Sequence, residues 1–289
     1  MIWQTTRYAI DLSQARVMGI VNVTPDSFAD GGAHATTAAA LAHCERLVRE
    51  GADMLDIGGE SSRPGAAPVG VAHELERVLP VLRGALTLGV PLSIDTTRPE
   101  VMREVLALGA DIINDIGALR VPGAIDVVAA HPACGVCLMH MRGDPAGMQR
   151  DVHYTDVVGE VADFLAARAR SLADRGVARE RIVLDPGIGF GKRAEHNVEL
   201  LARQRELLAL GYPLLVGWSR KSTLGLLTGR AVGDRLAASL AAALASVDRG
   251  ASIVRVHDVA ATVDALKIWR AAGDNGGPFE TRPARHPNP

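Results

Sequence analysis

Polar residues stand where the apolar runs stop. The run Pro91 to Ile94 ends at Asp95, Asp111 to Asn114 closes on an amide, and Arg181 to Leu184 runs into Asp185. Leu214 to Gly217 is followed at once by Ser219, Arg220, Lys221 and Ser222, and Ile253 to Val256 carries Arg255 with His257 just beyond. Two carboxylates, an amide and a lysine gathered in one place match the donors and acceptors of a flat, nitrogen-rich heterocycle. Burying them unpaired would cost roughly 1 to 3 kcal/mol each. Asn22, Arg63, Arg255 and His257 add groups suited to phosphate oxygens and to a hydrated Mg2+, which favours oxygen ligands and keeps much of its water. The expected guest is a heterocycle bearing a diphosphate.

Each residue alone also has a plainer reading. Asp95 could belong to a helix start, with Thr97 as cap and Pro99 in the first turn. Asn114 could merely finish a strand, and Asp185-Pro186-Gly187 reads as a turn, although an acid directly on an apolar run needs a partner. Arg255 and His257, two apart on a strand, share a face; they suit an anion, or an ion pair with Asp258 or another neighbour. In Pro186 to Lys192 the glycines suggest flexibility and Phe190 an apolar wall, while the spacing fits no Walker loop. Met139 is placed on the pocket floor and His140 is expected to be exposed. Gly217 to Lys221 lacks the last glycine of a nucleophile elbow.

What must position these residues is a repeated unit, a short apolar run, a polar break and a helical pattern, which recurs eight times. The strands are expected at Val17 to Val23, Met54 to Ile57, Pro91 to Ile94, Asp111 to Asn114, Gly135 to Met139, Arg181 to Leu184, Leu214 to Gly217 and Ile253 to Val256. Helical patterns cover about Thr37 to Glu50, Ala72 to Leu88, Pro99 to Leu108, Gly123 to Ala130, Asp156 to Arg175, Ala194 to Leu210, Asp234 to Arg249 and Val259 to Ala272. Strict alternation implies parallel strands, and eight such units close into an α/β (β/α)8 TIM barrel whose function lies at the carboxyl ends of the strands. An open doubly wound sheet is the rival, but Gly19-Ile20-Val21-Asn22 does not supply its dinucleotide fingerprint. The expected organisation is a single domain: residues 1–16 as a cap or hairpin at the bottom, 17–273 as the barrel, and a disordered Gly- and Pro-rich tail over 274–289. The small-residue helix from Asp234 to Arg249 could pack on the barrel or on another subunit.

With 289 residues, 48% hydrophobic content and a formal charge of -2, the chain reads as a globular protein. No basic excess supports nucleic-acid binding, no run is long enough to span a membrane, and the polar N-terminus points to the cytoplasm. Cys44, Cys134 and Cys137 make no disulfide framework, and the last two read as reduced cysteines at a strand start.

As an ordered set the motifs resemble the dihydropteroate synthase family: MGIVNVTPDSFADGG at 18–32, DIGGESSRPGA at 56–66, SIDTTRPEV at 93–101, INDI at 113–116, LMHM at 138–141, LDPGIGFGK at 184–192, VGWSRKS at 216–222 and VRVHDV at 254–259. The resemblance implies an alkyl transferase of folate biosynthesis that condenses 6-hydroxymethyl-7,8-dihydropterin diphosphate with p-aminobenzoate, a Mg2+-dependent homodimer and a sulfonamide target. It places Asp95, Asn114, Asp185 and Lys221 on the pterin ring, with Arg255 stacked over it and Met139 and Gly217 lining the pocket. Catalysis would fall to Asp95, Asp185, Lys221 and Arg255. Asn22, Arg63, Arg255 and His257 would meet the diphosphate, Asn22 also reaching Mg2+; Phe28, Asp30, Ser62, Pro64, Phe190, Lys221 and Ser222 would surround p-aminobenzoate. The loops after the first two strands are expected to order over bound diphosphate. Ser62 departs from the family's usual threonine, keeping the hydroxyl and losing a methyl. A methyltransferase using a reduced pterin and a catalytically silent pterin-binding partner protein are the alternatives; Arg63 and the SRKS loop, of little use without phosphates, speak against the first.

Overall fold

The chain opens with a hairpin, β1 (Ile2–Gln4) paired antiparallel with β2 (Ala9–Asp11). Then follow β3 (Arg16–Asn22), α1 (Gly32–Arg49), β4 (Met54–Gly58), α2 (Val71–Ala85), β5 (Leu92–Asp95), α3 (Pro99–Leu108), β6 (Ile112–Asp115), α4 (Ala124–Ala130), β7 (Gly135–Met139) and α5 (Val157–Ala173). The last third holds β8 (Ile182–Asp185), α6 (Ala194–Ala202), β9 (Leu214–Val216), α7 (Ser222–Thr228), α8 (Leu236–Asp248), β10 (Ala251–Val256) and α9 (Val259–Gly273). The eight strands β3 to β10 pair in parallel in chain order and close between β10 and β3, giving the expected (β/α)8 barrel. This computed structural model describes residues 1–23, 32–61, 69–144, 147–149 and 152–273, with backbone alone at 32–36. Phe28, Asp30, Ser62, Arg63, Pro64 and the tail 274–289 lie outside the described residues, as do the loop segments 24–31 and 62–68.

Side chains alternate along a strand, so each barrel strand sends one set outward to the helices and one inward. The outward set, including Val17, Val21, Leu55, Ile57, Ile94, Ile113, Leu138 and Leu184, merges with the helices' apolar faces into one core. Inward, Met18, Met54, Ile112, Cys137, Val183, Leu215 and Ile253 form a separate layer with Trp3, Ile10 and Leu12 of the hairpin. Trp3 is fully buried and donates its indole N–H to the Arg181 carbonyl at 2.9 Å. Gly135 makes room for it, since a Cβ there would stand 3.1 Å from that indole nitrogen. The hairpin is therefore the floor of the barrel. Two residues further along the same strands, the inward positions become Asp56, Asn114, Met139, Asp185, Gly217 and Arg255. A period of two turns an apolar floor into a polar mouth.

Three details differ from the sequence reading. The pattern from Ala194 to Leu210 breaks after Ala202 into a 3-10 stretch, Gln204–Leu210, ended by left-handed Gly211. A short extra helix, α7, precedes α8; its Gly225 and its exposed Leu226 and Leu227 give no inward apolar stripe to read. Pro99 does begin α3, but the residue before it is Arg98, whose side chain makes no cap bond, so Thr97 is not the cap. Among the described residues no helix is long and apolar enough to cross a membrane.

Candidate active site

Asp95, Asn114, Met139, Asp185, Gly217, Lys221 and Arg255 line one cavity at the carboxyl ends of β5 to β10, together with Ile116, Ile188 and Phe190. Widely separated segments thus converge as the sequence required. Met139 and Phe190 both belong to the lining, and the Lys221 ammonium lies 4.1 Å from the centre of the Phe190 ring. Ser222 is exposed at the first turn of α7 and lies outside this lining.

The residue the sequence reading missed is Asp56. It sits on the inner face of β4 with no exposed surface and accepts from Ser93 Oγ at 2.6 Å, Asn114 Nδ2 at 3.0 Å and Arg255 Nε at 2.6 Å. Arg255 reaches onward through Nη2 to Asp95 Oδ2 at 3.0 Å. Arg255 makes ion pairs with Asp56 and Asp95, while Asp258 pairs with Arg220 at 2.6 Å. The signal was available, because an aspartate inside the apolar run Met54 to Ile57 cannot be buried without partners.

Burial sets the protonation of this cluster. Asp95 is pushed up to about 7 by burial, with Arg255 opposing the rise and Asp56 adding to it. Burial raises Asp185 to about 6 against the Gly187 N–H, which donates to its Oδ1 at 2.7 Å, and against Lys221. Lys221 is lowered to about 8 by burial and by Arg255. Arg255 itself, burial notwithstanding, is held above its ordinary value by the Asp56 and Asp95 carboxylates. The site keeps one fixed cation and carboxylates whose charge responds near neutrality.

A second cleft, of about 470 Å³, is lined by Ile20 and Asn22 of β3, His43 and Arg46 of α1, Glu50, Arg220, Leu236, His257, Asp258 and the start of α9. His257 Nδ1 lies 3.0 Å from Ser219 Oγ, and burial with the cations Arg255 and Arg220 lowers its pKa to about 3, so it stands neutral. Arg255 and His257 are expected to share a face, but β10 ends at Val256 and the two line different cavities.

His140 is buried, not exposed. Its ring packs edge-on against Phe164 at 4.9 Å and it faces Lys192, which is buried as well. Nor are the glycines of the β8 loop there for flexibility: Gly187, Gly189 and Gly191 all have positive φ, at 68°, 82° and 62°, a region other residues rarely adopt. Cys44, Cys134 and Cys137 are free, buried thiols. Burial pushes each of them above its ordinary value, which leaves inert thiols rather than nucleophiles.

Such a mouth defines the class of barrel enzymes that hold a planar, hydrogen-bonding ring at the strand ends, and residues 18–257 match the family described as pterin binding enzyme. The dihydropteroate synthase of Neisseria meningitidis serogroup B is 54% identical over 280 residues, covering 95% of this chain and 98% of that one. The Burkholderia cenocepacia dihydropteroate synthase complexed with 7,8-dihydropteroate superposes with a TM-score of 0.86 at 50% identity, over 94% of this chain and 96% of that one. The Yersinia pestis dihydropteroate synthase in a sulfonamide drug complex does so with a TM-score of 0.89 at 44% identity, over 94% and 99%. The chain belongs to the dihydropteroate synthase family.

Proposed function

We propose that this chain joins 6-hydroxymethyl-7,8-dihydropterin diphosphate to p-aminobenzoate, forming 7,8-dihydropteroate and pyrophosphate, and that sulfonamides compete with p-aminobenzoate for its second subsite. The observation that carries the reading is the convergence of Asp95, Asn114, Asp185 and Lys221 on one cavity that Arg255 also lines. Asp185 and Asn114 address the ring's amine and amide edge, Lys221 donates to its acceptors, and Met139 packs on its face. The diphosphate is assigned to His257 and Asn22, which line the second cleft.

The reaction is a dissociative substitution at the methylene carbon. The C–O bond breaks with its electron pair leaving on pyrophosphate, and the Asp95 carboxylate offsets the positive charge that develops on the pterin. The neutral aromatic amine then attacks, the C–N bond forms, and the amine loses a proton to solvent. No protein nucleophile is needed. The donor set near the diphosphate suits magnesium: Asn22 offers an amide oxygen, the hard donor type that this ion takes alongside phosphate and water oxygens. Asn22 would help to hold the ion, which when bound would supply charge neutralisation to the leaving group.

The functional unit we propose is a cytoplasmic homodimer. Leu226, Leu227, Val232 and Leu236, on α7, α8 and the turn between them, are exposed, as are Ile268 and Trp269 on α9. Of the small residues of α8, Ser239, Ala242, Ala243 and Ser246 are buried in the chain's own core, while Ala237 and Ala241 are exposed. Measuring pyrophosphate release from both substrates, and from the pterin alone, tests the reaction: release that needs p-aminobenzoate supports it, and no release with both substrates present defeats it.

A further inference from the structure

The loop after β8 lies against the segment after β7 with almost no side chain between them. A Cβ on Gly187 would collide with the His140 carbonyl, and one on Gly191 would stand 2.7 Å from the Arg142 carbonyl oxygen. Tyr154 adds a tie by donating its hydroxyl to the Gly191 carbonyl at 2.9 Å. Into this seam runs Lys192, only 3% exposed. Its Nζ lies 2.8 Å from His140 Nδ1, 3.0 Å from the Gly187 carbonyl, 3.1 Å from the Phe190 carbonyl and 3.3 Å from the His140 carbonyl.

Three of those partners are carbonyls, which only accept. The fourth accepts too, provided Nδ1 is the unprotonated nitrogen, and burial together with Lys192 keeps His140 neutral with a pKa of about 2. Burial draws Lys192 itself down to about 7, but a cage made only of acceptors favours the ammonium with its three donors. The lysine itself lines neither cavity. One carbonyl it grips belongs to Phe190, whose ring lies against the Lys221 ammonium.

We infer that Lys192, oriented by His140, is a positioning residue for the second substrate: it clamps the loop that holds the Phe190 ring where p-aminobenzoate packs. This rests on the reaction proposed above. Asp95, Asn114 and Arg255 stand on other strands outside the clamp, and of the ring contacts Asp185 is tied to it through Gly187, so the pterin should respond less than p-aminobenzoate when the clamp is broken.

The test is steady-state kinetics for p-aminobenzoate with calorimetry of the pterin diphosphate. In Lys192→Met the KM for p-aminobenzoate should rise about tenfold or more while the Kd of the pterin diphosphate stays within about threefold. His140→Phe keeps the ring's packing and removes the acceptor, and should shift KM the same way by less. His140→Asn, with Oδ1 near the place of Nδ1, should restore it. Should Lys192→Met not fold, the two His140 variants decide the matter. A folded variant with unchanged KM, or a pterin Kd that weakens as much as KM, overturns the inference while leaving the reaction standing. A wild-type chain that releases no pyrophosphate overturns both.

Discussion

Asp56→Asn tests the buried charge network most directly, because the substitution keeps shape and removes one charge. Asp56 has no exposed surface and meets Arg255 at 2.6 Å, so the change strips a buried guanidinium of one of its two carboxylates. Removing one partner of a buried pair costs about 3 to 5 kcal/mol, and the lower end applies because Asp95 stays and the new amide can still accept from Arg255. At about 2 to 4 °C per kcal/mol for a chain of this size, the melting temperature should fall by roughly 6 to 12 °C. A second readout is independent of stability. Burial is the main reason Asp95 sits at about 7, Arg255 opposes it and the Asp56 charge adds to it. Deleting that like charge and leaving Arg255 to Asp95 alone both favour the carboxylate, so the pKa of Asp95 must drop. If ionised Asp95 stabilises the developing pterin cation, the acidic limb of the single-turnover rate moves to lower pH by about one unit. Calorimetric melting and rapid-quench measurement of pyrophosphate release across the neutral range read the two effects. A variant that melts within about a degree of wild type, with its acidic limb in place, would refute the reasoning.

Three further outcomes are expected. Lys221→Ala should weaken binding of the pterin diphosphate by about tenfold to a hundredfold with the fold intact, and titration calorimetry showing equal affinity would remove the lysine from the ring site. Trp3→Ala opens the barrel floor and orphans the Arg181 carbonyl, at a cost of about 3 to 5 kcal/mol; an unchanged melting temperature would mean the hairpin is not the floor. Asp185, raised to about 6, binds its proton more tightly folded than unfolded. Its contribution to stability is therefore complete below about pH 4 and is lost as pH rises through about 6. Asp185→Asn should flatten the dependence of melting temperature on pH across that window, and an unaltered slope would contradict the shift.

Much of the fold was legible because strands buried on both faces read as plain apolar runs, and a barrel mouth is where such runs must end in polar residues. That is why Asp95, Asn114, Asp185 and Lys221 could be picked out and why they meet. Asp56 escaped for the converse reason: one polar residue inside a strand leaves the run's average unaltered, and only the question of its partner would have exposed it. His140 was misjudged because its burial depends on Lys192, 52 residues away along the chain. The glycines of the β8 loop looked like slack, whereas the backbone they bring close is His140 to Arg142, a contact no local pattern announces. α7 carries too little inward apolar surface to announce itself.

Arg255, set between Asp56 and Asp95, is itself a flat cluster of nitrogen donors. In the resting enzyme it serves as a built-in surrogate for the guest, keeping acid groups occupied that would otherwise face each other alone. On the function proposed above, a pterin that reaches Asp95 competes with this guanidinium for it. Fragments that copy only the guanidine-like edge of a pterin compete against a tethered rival and should be weak, while compounds that also engage the arginine gain from both contacts.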